Sequence, residues 1–346
     1  MGMTLGLETT CDETSAAVVA DGVRVCSTVV RSQIDLHAKY GGVVPEIAAR
    51  AHLEILNAVI ARAMEQAGVA ADQLDGVGVA NCPGLIGCLL VGVAAAKALA
   101  FAWQKPLIGV NHVHAHLYAI RLQNSAGIEV RLPTDLWPAL GLVISGGHTS
   151  MYWMDGFTQL GRIGSTIDDA VGEAFDKVAQ ILQLGYPGGP LVEQLARSGD
   201  PAAIQFPTSL LGRESLNFSF SGLKTAVLYH VNGSKGIQRD ASALSRQALA
   251  DVAASFQRVA AEVLAAKCRR ALEHRSAKAL LVGGGVSANE AIRSKLLALG
   301  EEMGLKVFLP TPEFCTDNAA MIAGLAAHQL QSGHQDGLDL PVFATV

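Results

Sequence analysis

The order of the elements that the sequence predicts constrains the fold most strongly, because the same order occurs twice. The strand-like segments LGLE, SAAVVA and VRVCSTVV open the first half, and ALGLVIS, TSMYWM and TQLGRIG open the second. In both halves helices and strands then alternate. A β-meander followed by alternating strands and helices is typical of an α/β lobe. We therefore predict an α/β protein of two duplicated lobes with a central ligand-binding cleft.

The lobe boundaries follow from a change in composition near the middle of the chain. Residues 123–138 are polar, contain two prolines and show no hydrophobic period, so we predict a hinge there. The N-terminal lobe then covers 1–122 and the C-terminal lobe covers 139–317. We expect the remaining segment, about 318–346, to pack back on the N-terminal lobe as a helix.

Composition limits the class of protein and its compartment. The chain has 346 residues, of which 50% are apolar and 16% charged, so it can bury a large core. Its net charge of −5 argues against a protein that coats nucleic acid with its own positive surface. The six cysteines contain no CxxC pair, and Leu85–Ala96, the longest apolar run, is well short of the ~20 residues of a membrane span. We expect a cytoplasmic protein with no membrane segment.

The motif NHVHAH at 111–116 predicts a metal site. His112 and His116 are four residues apart, which places both rings on one face of a helix. Asp317, at the start of the last predicted helix, is our candidate for a third ligand. Two imidazoles and one carboxylate leave coordination positions open for a substrate, as in catalytic zinc or non-haem iron sites. A chance pair of histidines and an ordinary helix-capping role for Asp317 are the alternatives.

Four loops of small residues predict a nucleotide site. They are TTCDET at 9–14, SGGHTS at 145–150, YPGGP at 186–190 and GGGVSAN at 283–289. Glycine lets the backbone approach a ligand, and successive amide groups before a helix bind anionic oxygens. Each loop alone is weak evidence, because glycine-rich turns end many strands. The pattern GxxxxGK[ST] is absent from the sequence, which excludes a P-loop.

Two charged segments each allow two interpretations. The acidic segment DDAVGEAFDKVA at 168–179 is either a solvated helix face or a pocket wall. The basic segment 258–278 is either a solvated helix face or a surface for a phosphate backbone.

Eight motifs together resemble the bacterial TsaD family, which makes threonylcarbamoyladenosine in transfer RNA and was formerly described as an O-sialoglycoprotein endopeptidase. These motifs are YGGVVPEIAARAH, NHVHAH, SGGHTS, DDAVGEAFDK, YPGGP, NFSFSGLKTA, GGGVSAN and TDNAAMIA. The resemblance runs from about Leu5 to Gln331, and it implies the two-lobed fold of the actin-like, Hsp70 and sugar-kinase (ASKHA) ATPases.

The resemblance also assigns residues to roles. It implies that His112, His116 and Asp317 bind one divalent metal ion, usually iron and sometimes zinc. Asp12 and Glu13 match the acidic loop of the family and are our candidate catalytic residues. The residues implied to contact an adenine nucleotide, either threonylcarbamoyl-AMP or ATP, are Val143, Ile144, Ser145, Gly146, Gly147, Asp176, Gly189 and Asn289.

The implied activity is transfer of a threonylcarbamoyl group from threonylcarbamoyl-AMP to the exocyclic amine of adenosine 37, in tRNAs that read codons beginning with A. AMP is the leaving group, and a separate synthase makes the donor. The implied partners are the proteins TsaB and TsaE and the anticodon loop of tRNA. Helix 45–67 is our candidate for the TsaB contact.

Three other functions stay open from the residues alone. A metallopeptidase would use the same histidine pair, but the sequence lacks the glutamate of an HExxH motif. An ATPase or small-molecule kinase of the same fold would not need a metal-binding histidine pair. A non-catalytic scaffold would tolerate replacement of His112 or Asp317.

Overall fold

The computed structural model describes residues 2–345 apart from 124–126, 128–129, 213 and 234–239. Part of the predicted hinge, 124–126 and 128–129, lies outside the described residues. The chain divides into two compact units. The first unit combines Met1–Pro133 with Pro310–Val346, and the second unit is Thr134–Leu309.

The first unit is built on a five-stranded sheet in the order β3-β2-β1-β4-β5. Its strands are β1 (Met3–Glu8), β2 (Glu13–Ala20), β3 (Arg24–Ser32), β4 (Gly76–Cys82) and β5 (Leu107–Asn111). Its helices are α1 (Ile34–Ala38), α2 (Pro45–Ala67), α3 (Ile86–Trp103), α4 (His112–Tyr118) and, at the end of the chain, α10 (Ala319–Gln331). Strand β1 is antiparallel to β2 and parallel to β4, which is parallel to β5.

The second unit has a sheet of the same size, in the order β10-β9-β6-β7-β8. Its strands are β6 (Ala139–Ile144), β7 (Thr149–Met154), β8 (Leu160–Ser165), β9 (Ala279–Gly283) and β10 (Lys306–Phe308). Its helices are α5 (Val171–Ile181), α6 (Gly188–Ala196), α7 (Ser221–Asn232), α8 (Arg246–His274) and α9 (Glu290–Met303).

The two sheets have the same topology when the second is read from its other edge. Strands β1 to β5 then correspond to β6 to β10, with the same antiparallel meander and the same parallel pair at the far side. The predicted duplication of an α/β lobe is therefore confirmed. The loops TTCDET and SGGHTS occupy equivalent places, because each joins the first strand of its sheet to the second.

Helix α10 lies unusually close to the sheet of the first unit. Gly6 on β1 and Gly78 on β4 are paired across the parallel ladder. A Cβ atom at Gly6 would lie 2.4 Å from the Ala319 carbonyl oxygen, and one at Gly78 would lie 2.4 Å from the Ala326 Cβ. The missing side chains therefore let α10 pack directly on the strands, which fixes the position of the loop that precedes the helix.

Helix α3 is long and apolar enough to cross a membrane by length and composition. The same composition is typical of a core helix in a water-soluble domain, and one such helix is weak evidence of a span. One face of α3 packs against α2 and β4, and Lys97 interrupts the apolar sequence. We interpret α3 as a helix of the α/β unit and not as a membrane span.

Candidate metal centre and substrate-binding loops

Two histidines of α4 and one aspartate before α10 converge in the first unit. One ligand atom each from His112, His116 and Asp317 lies within 4.8 Å of the others. The Asp317 Oδ1 atom is 3.6 Å from His112 Nε2 and 3.2 Å from His116 Nε2. The two imidazole rings meet edge to face at 4.7 Å between centroids. This donor set fits a divalent metal that prefers nitrogen and oxygen ligands.

The asparagines next to the ligand residues cap both helices. The Asn111 side chain accepts a hydrogen bond from the backbone N–H of His114 at the start of α4. The Asn318 side chain accepts from the backbone N–H of Met321 at the start of α10. The N-cap of α10 is therefore Asn318, the residue after Asp317.

Glu8 orients the first histidine, and the sequence analysis missed it. The Glu8 Oε2 atom lies 2.8 Å from His112 Nδ1, and its Oε1 atom accepts from the backbone N–H of Thr10. With Nδ1 donating to Glu8, Nε2 is the ring nitrogen of His112 that faces Asp317. Burial alone lowers the pKa of His112, but the carboxylates of Glu8 and Asp317 outweigh it and raise that pKa to about 9. An acidic residue that ends a buried strand, as in LGLE, was the available signal.

The second histidine supplies the test of whether a metal ion fits. His116 is fully buried, and burial lowers its pKa, which favours the neutral ring that binds metals. Within the described part of the chain, its Nδ1 has no hydrogen-bond partner, and its Nε2 faces the Asp317 Oδ1 atom at 3.2 Å. A buried ring nitrogen without a hydrogen bond is costly in a protein that binds nothing there. The residues present therefore fit a metal ion held by His112, His116 and Asp317.

The predicted catalytic pair lies on the loop after β1, in the same unit. Asp12 is 9% exposed, and Glu13 is the first residue of β2. Burial, followed by the charges of Asp12 and Asp317, raises the pKa of Glu13 to about 9. The acidic loop is thus electrostatically linked to the candidate metal ligand Asp317, and a nearby cation would favour its ionised form.

The predicted nucleotide loops of the second unit lie at the carboxyl ends of adjacent parallel strands. Val143 on β6 pairs with Gly283 on β9, so the segment 143–147 and the loop GGGVSAN leave the sheet side by side. Gly284 has a φ of +97°, and a Cβ atom there would lie 2.4 Å from the Ile144 carbonyl oxygen. Ligands of open α/β sheets bind at such strand ends.

The same edge brings the start of α5 to the SGG loop. The carbonyl oxygen of Gly146 accepts from the backbone N–H of Glu173 at 3.1 Å. A Cβ atom at Gly172 would lie 2.6 Å from the Ser145 carbonyl oxygen. By contrast, Cβ atoms at Gly146 and Gly147 would meet nothing within 4 Å. The backbone at these two glycines is therefore open to a ligand.

Two of the remaining predicted contact residues, Asp176 and Asn289, make hydrogen bonds within the second unit. The Asp176 Oδ1 atom accepts from the backbone N–H of Gly188 at 2.7 Å, which holds the YPGGP turn against α5. A Cβ atom at Gly189 would meet nothing within 4 Å. Asn289 caps α9 by accepting from the Ile292 N–H, and its Nδ2 donates to the Gln257 side chain at 2.7 Å. Its predicted substrate contact stays a prediction.

The acidic segment before α5 binds other parts of the second unit. Asp168 accepts from the backbone N–H groups of Phe220 and Ser221 and caps α7, which the sequence analysis did not predict. Asp169 forms ion pairs with Lys177 at 2.6 Å and Lys224 at 2.9 Å. These contacts join the DDAVGEAFDK and NFSFSGLKTA motifs, so the segment is not simply a solvated face.

The basic segment is largely neutralised inside the second unit. Arg258 pairs with Glu262 at 2.9 Å, and Arg269 pairs with Glu302. Arg275 stacks on the Trp153 ring at 4.9 Å. These contacts disfavour a phosphate-binding surface at 258–278, because the charges involved are already paired within the unit.

Fold and site together define a duplicated α/β protein with two five-stranded sheets of the same topology and a candidate metal centre of two histidines and one carboxylate. The family model described as TsaD, tRNA N6-adenosine threonylcarbamoyltransferase, matches residues 24–324. The chain belongs to this family.

Curated relatives are similar in sequence over nearly the whole chain. A protein of Symbiobacterium thermophilum named tRNA N6-adenosine threonylcarbamoyltransferase is 50% identical over 339 residues, which cover 98% of this chain and 95% of that protein. A protein of Trichlorobacter lovleyi with the same name is 47% identical over 341 residues, covering 99% and 95%.

Solved structures of other proteins have a fold similar to that of this chain. HypF of T. kodakarensis superposes with a TM-score of 0.61 at 16% identity, over 96% of this chain and 48% of HypF. Component A of the (R)-2-hydroxyglutaryl-CoA dehydratase of Acidaminococcus fermentans superposes with a TM-score of 0.53 at 14% identity, over 96% and 100%. At these identities the likeness concerns the fold alone.

Proposed function

We propose that this chain transfers the threonylcarbamoyl group from threonylcarbamoyl-AMP to the exocyclic amine of adenosine 37 in tRNAs that read codons beginning with A. One observation carries the proposal: a two-histidine, one-carboxylate cluster lies in a chain whose family model is that of this transferase. The family relation does not favour the peptidase, kinase or scaffold alternatives.

The donor is a mixed anhydride, so the acyl group is already activated. The adenosine amine attacks the carbamoyl carbon, the new C–N bond forms, and the C–O bond to the phosphate breaks. AMP leaves with the bonding electron pair, and the amine loses one proton. The protein therefore needs to position two reactants and stabilise charge, and it needs no covalent nucleophile.

The second unit is proposed to bind the adenylate. The open backbone at Gly146 and Gly147 supports a phosphate contact, because amide groups before a helix favour anionic oxygens. Val143, Ile144 and Ser145 belong to the same strand end. The proposed nucleotide contacts beyond this loop are Asp176, Gly189 and Asn289.

The first unit is proposed to bind the group that is transferred. His112, His116 and Asp317 would hold a divalent ion, iron or zinc, which supplies a Lewis acid for the threonylcarbamoyl oxygens. Glu8 holds the His112 ring in the orientation that this binding needs. Asp12 and Glu13 are the proposed acceptors of the amine proton, and an ion at Asp317 would lower the pKa of Glu13 toward the ionised form that accepts a proton.

The proposed partners follow from the family. TsaB is expected on the outer face of α2, where Leu53 is 70% exposed. Helix α3 packs beside α2 and exposes Leu90 and Phe101, so the two helices present apolar side chains to solvent. TsaE, the anticodon loop of tRNA and a separate synthase complete the proposed cytoplasmic system.

Reconstitution tests the proposal. The purified chain is incubated with tRNA and synthetic threonylcarbamoyl-AMP, with and without TsaB and TsaE, and the tRNA nucleosides are analysed by mass spectrometry. We expect threonylcarbamoyladenosine and one equivalent of AMP. Formation of neither product with all partners present would contradict the proposal. Metal analysis of the purified chain distinguishes iron from zinc.

A further inference from the structure

A buried chain of hydrogen bonds joins the start of α2 to the acidic loop through two histidines that the proposed reaction does not use. His37 and His52 are both 0% exposed, and Gln33 between them is 2% exposed. Buried imidazoles outside a metal site need a structural reason, because each ring has two nitrogens to satisfy.

In this series of hydrogen bonds every donor points in the same direction, from Val44 toward Cys11. The backbone N–H of Val44 donates to His37 Nδ1 at 3.3 Å, so the His37 proton lies on Nε2, which donates to Gln33 Oε1 at 3.2 Å. Gln33 Nε2 then donates to His52 Nδ1 at 3.3 Å. His52 Nε2 donates to the Cys11 carbonyl oxygen at 2.9 Å. Both rings are therefore neutral, and each tautomer is set by its neighbours.

Two further hydrogen bonds join this buried series. The Thr14 hydroxyl donates to His52 Nδ1 at 2.7 Å, and Gln33 Nε2 also donates to the Ala48 carbonyl oxygen at 3.3 Å. His52 thus uses both of its ring nitrogens. A satisfied buried network of this kind holds its members in one arrangement.

The chain of hydrogen bonds ends on the two peptide groups that flank Asp12. His52 holds the Cys11 carbonyl oxygen, and the backbone N–H of Gln33 donates to the Asp12 carbonyl oxygen at 2.9 Å. The Ser32 hydroxyl donates to Glu13 Oε1 at 3.0 Å. With the peptide planes on both sides fixed, the direction of the Asp12 side chain from the backbone is fixed as well.

We propose that His37, Gln33 and His52 are positioning residues, which orient Asp12 and Glu13 for threonylcarbamoyl transfer from a distance. The proposal rests on the proposed function, in which that acidic pair serves the reaction. The three residues touch neither substrate nor metal ligand in this assignment. Their effect on the reaction passes through the backbone of Cys11 and Asp12.

The test compares variants of His52 with a core variant on the same helix. His52→Leu keeps the bulk and removes the hydrogen bonds at both ring nitrogens, whereas His52→Gln retains one donor and one acceptor. Leu56→Ala lies one turn further along α2, at a side chain that is 3% exposed and belongs to the apolar core. Thr14→Val and Gln33→Glu are milder changes to the same network if His52→Leu does not fold.

Two measurements separate positioning from general stability. Hydrogen exchange of the purified chain is followed in peptides covering 9–15 and 33–44, and the transfer reaction is followed for kcat and KM. For His52→Leu we expect faster exchange in both peptides and a kcat lower by about tenfold to a hundredfold, with KM for tRNA and metal content unchanged. His52→Gln restores most of the kcat. Leu56→Ala lowers thermal stability and leaves kcat and exchange at 9–15 near those of the wild type.

Unchanged exchange at 9–15 in His52→Leu and in the two milder variants would overturn the proposal. So would a loss of kcat in Leu56→Ala equal to that in His52→Leu at equal loss of stability. Failure of the proposed function has a different signature, because the wild-type chain then makes no product. The exchange measurement needs no turnover and still decides whether the network holds the acidic loop.

Discussion

The Glu8 carboxylate accepts a hydrogen bond from His112 at 2.8 Å between Oε2 and Nδ1, and this contact turns the other ring nitrogen toward Asp317. Glu8 ends β1, and His112 begins α4 directly after β5. Both strands are parallel to β4, so their carboxyl ends lie at the same edge of the sheet. The sheet topology thus brings Glu8 to His112 of the candidate metal centre.

Replacement of Glu8 should weaken metal binding without removing a ligand. Glu8→Gln keeps the size of the side chain but removes the charge that supports His112. We expect metal affinity to fall about 10- to 100-fold, the range seen when such supporting groups are changed. Competition with a chromophoric chelator measures it. Glu46→Gln, the same change at an exposed position of α2, is the control, and equal affinities of the two variants would refute this role.

Replacement of His116 by an apolar residue should separate metal binding from folding. Burying an unsatisfied polar atom costs about 1–3 kcal/mol, so His116→Leu should leave the metal-free chain as stable as the wild type or more stable. Added metal should then raise the melting temperature of the wild type and not that of the variant. His114→Ala is the control, since His114 is outside the ligand cluster. A metal-induced shift in His116→Leu would show that another residue binds the ion.

His52 should make the fold less stable in mild acid. Burial lowers the pKa of His52 below its ordinary 6.5, although the Cys11 carbonyl, Glu8 and Asp12 oppose this and His37 adds to it. The unfolded chain therefore binds the extra proton first, and stability falls as the pH drops through about 6.5. The slope contributed by one proton is at most about 1.4 kcal/mol per pH unit. The free energy of unfolding is measured with urea between about pH 7.5 and about pH 5.5. It should change less with pH for His52→Gln than for the wild type. Identical slopes would contradict the assignment.

A charge on the outer face of α2 should weaken the complex with TsaB. Leu53 is 70% exposed, so Leu53→Asp should cost the isolated chain little stability and should reduce TsaB affinity at least tenfold. Isothermal titration measures the affinity. Leu338→Asp introduces the same change at another exposed leucine and serves as the control. Full affinity in Leu53→Asp would place the contact elsewhere.

Local patterns in the sequence predicted the main elements closely. The predicted bounds of α2, 45–67, agree with the structure, because an initial proline and a glycine stop are local signals. Helix α5 begins at Val171, three residues after Asp168, and Asp168 caps the distant α7 instead. Local patterns do not mark the start of α7, because its cap lies 52 residues away.

Part of the candidate site is visible in local sequence patterns, and part depends on contacts between distant segments. The spacing of His112 and His116 is visible along one helix, and the structure brings Asp317 to them through the glycine-lined packing of α10. The hydrogen bonds from His112 to Glu8 and from His52 to Cys11 join segments 104 and 41 residues apart. No periodic pattern encodes such contacts, because they depend on which strand ends meet at one edge of the sheet.

The most direct measurement is the amount of threonylcarbamoyladenosine formed by wild type and by His116→Ala, each with tRNA, synthetic threonylcarbamoyl-AMP, TsaB and TsaE. Circular dichroism confirms that the variant is folded. We predict modified tRNA with the wild type and none above background with His116→Ala, whose metal content should also be lost. Equal modification by a folded His116→Ala would contradict the assignment of the reaction to this metal centre.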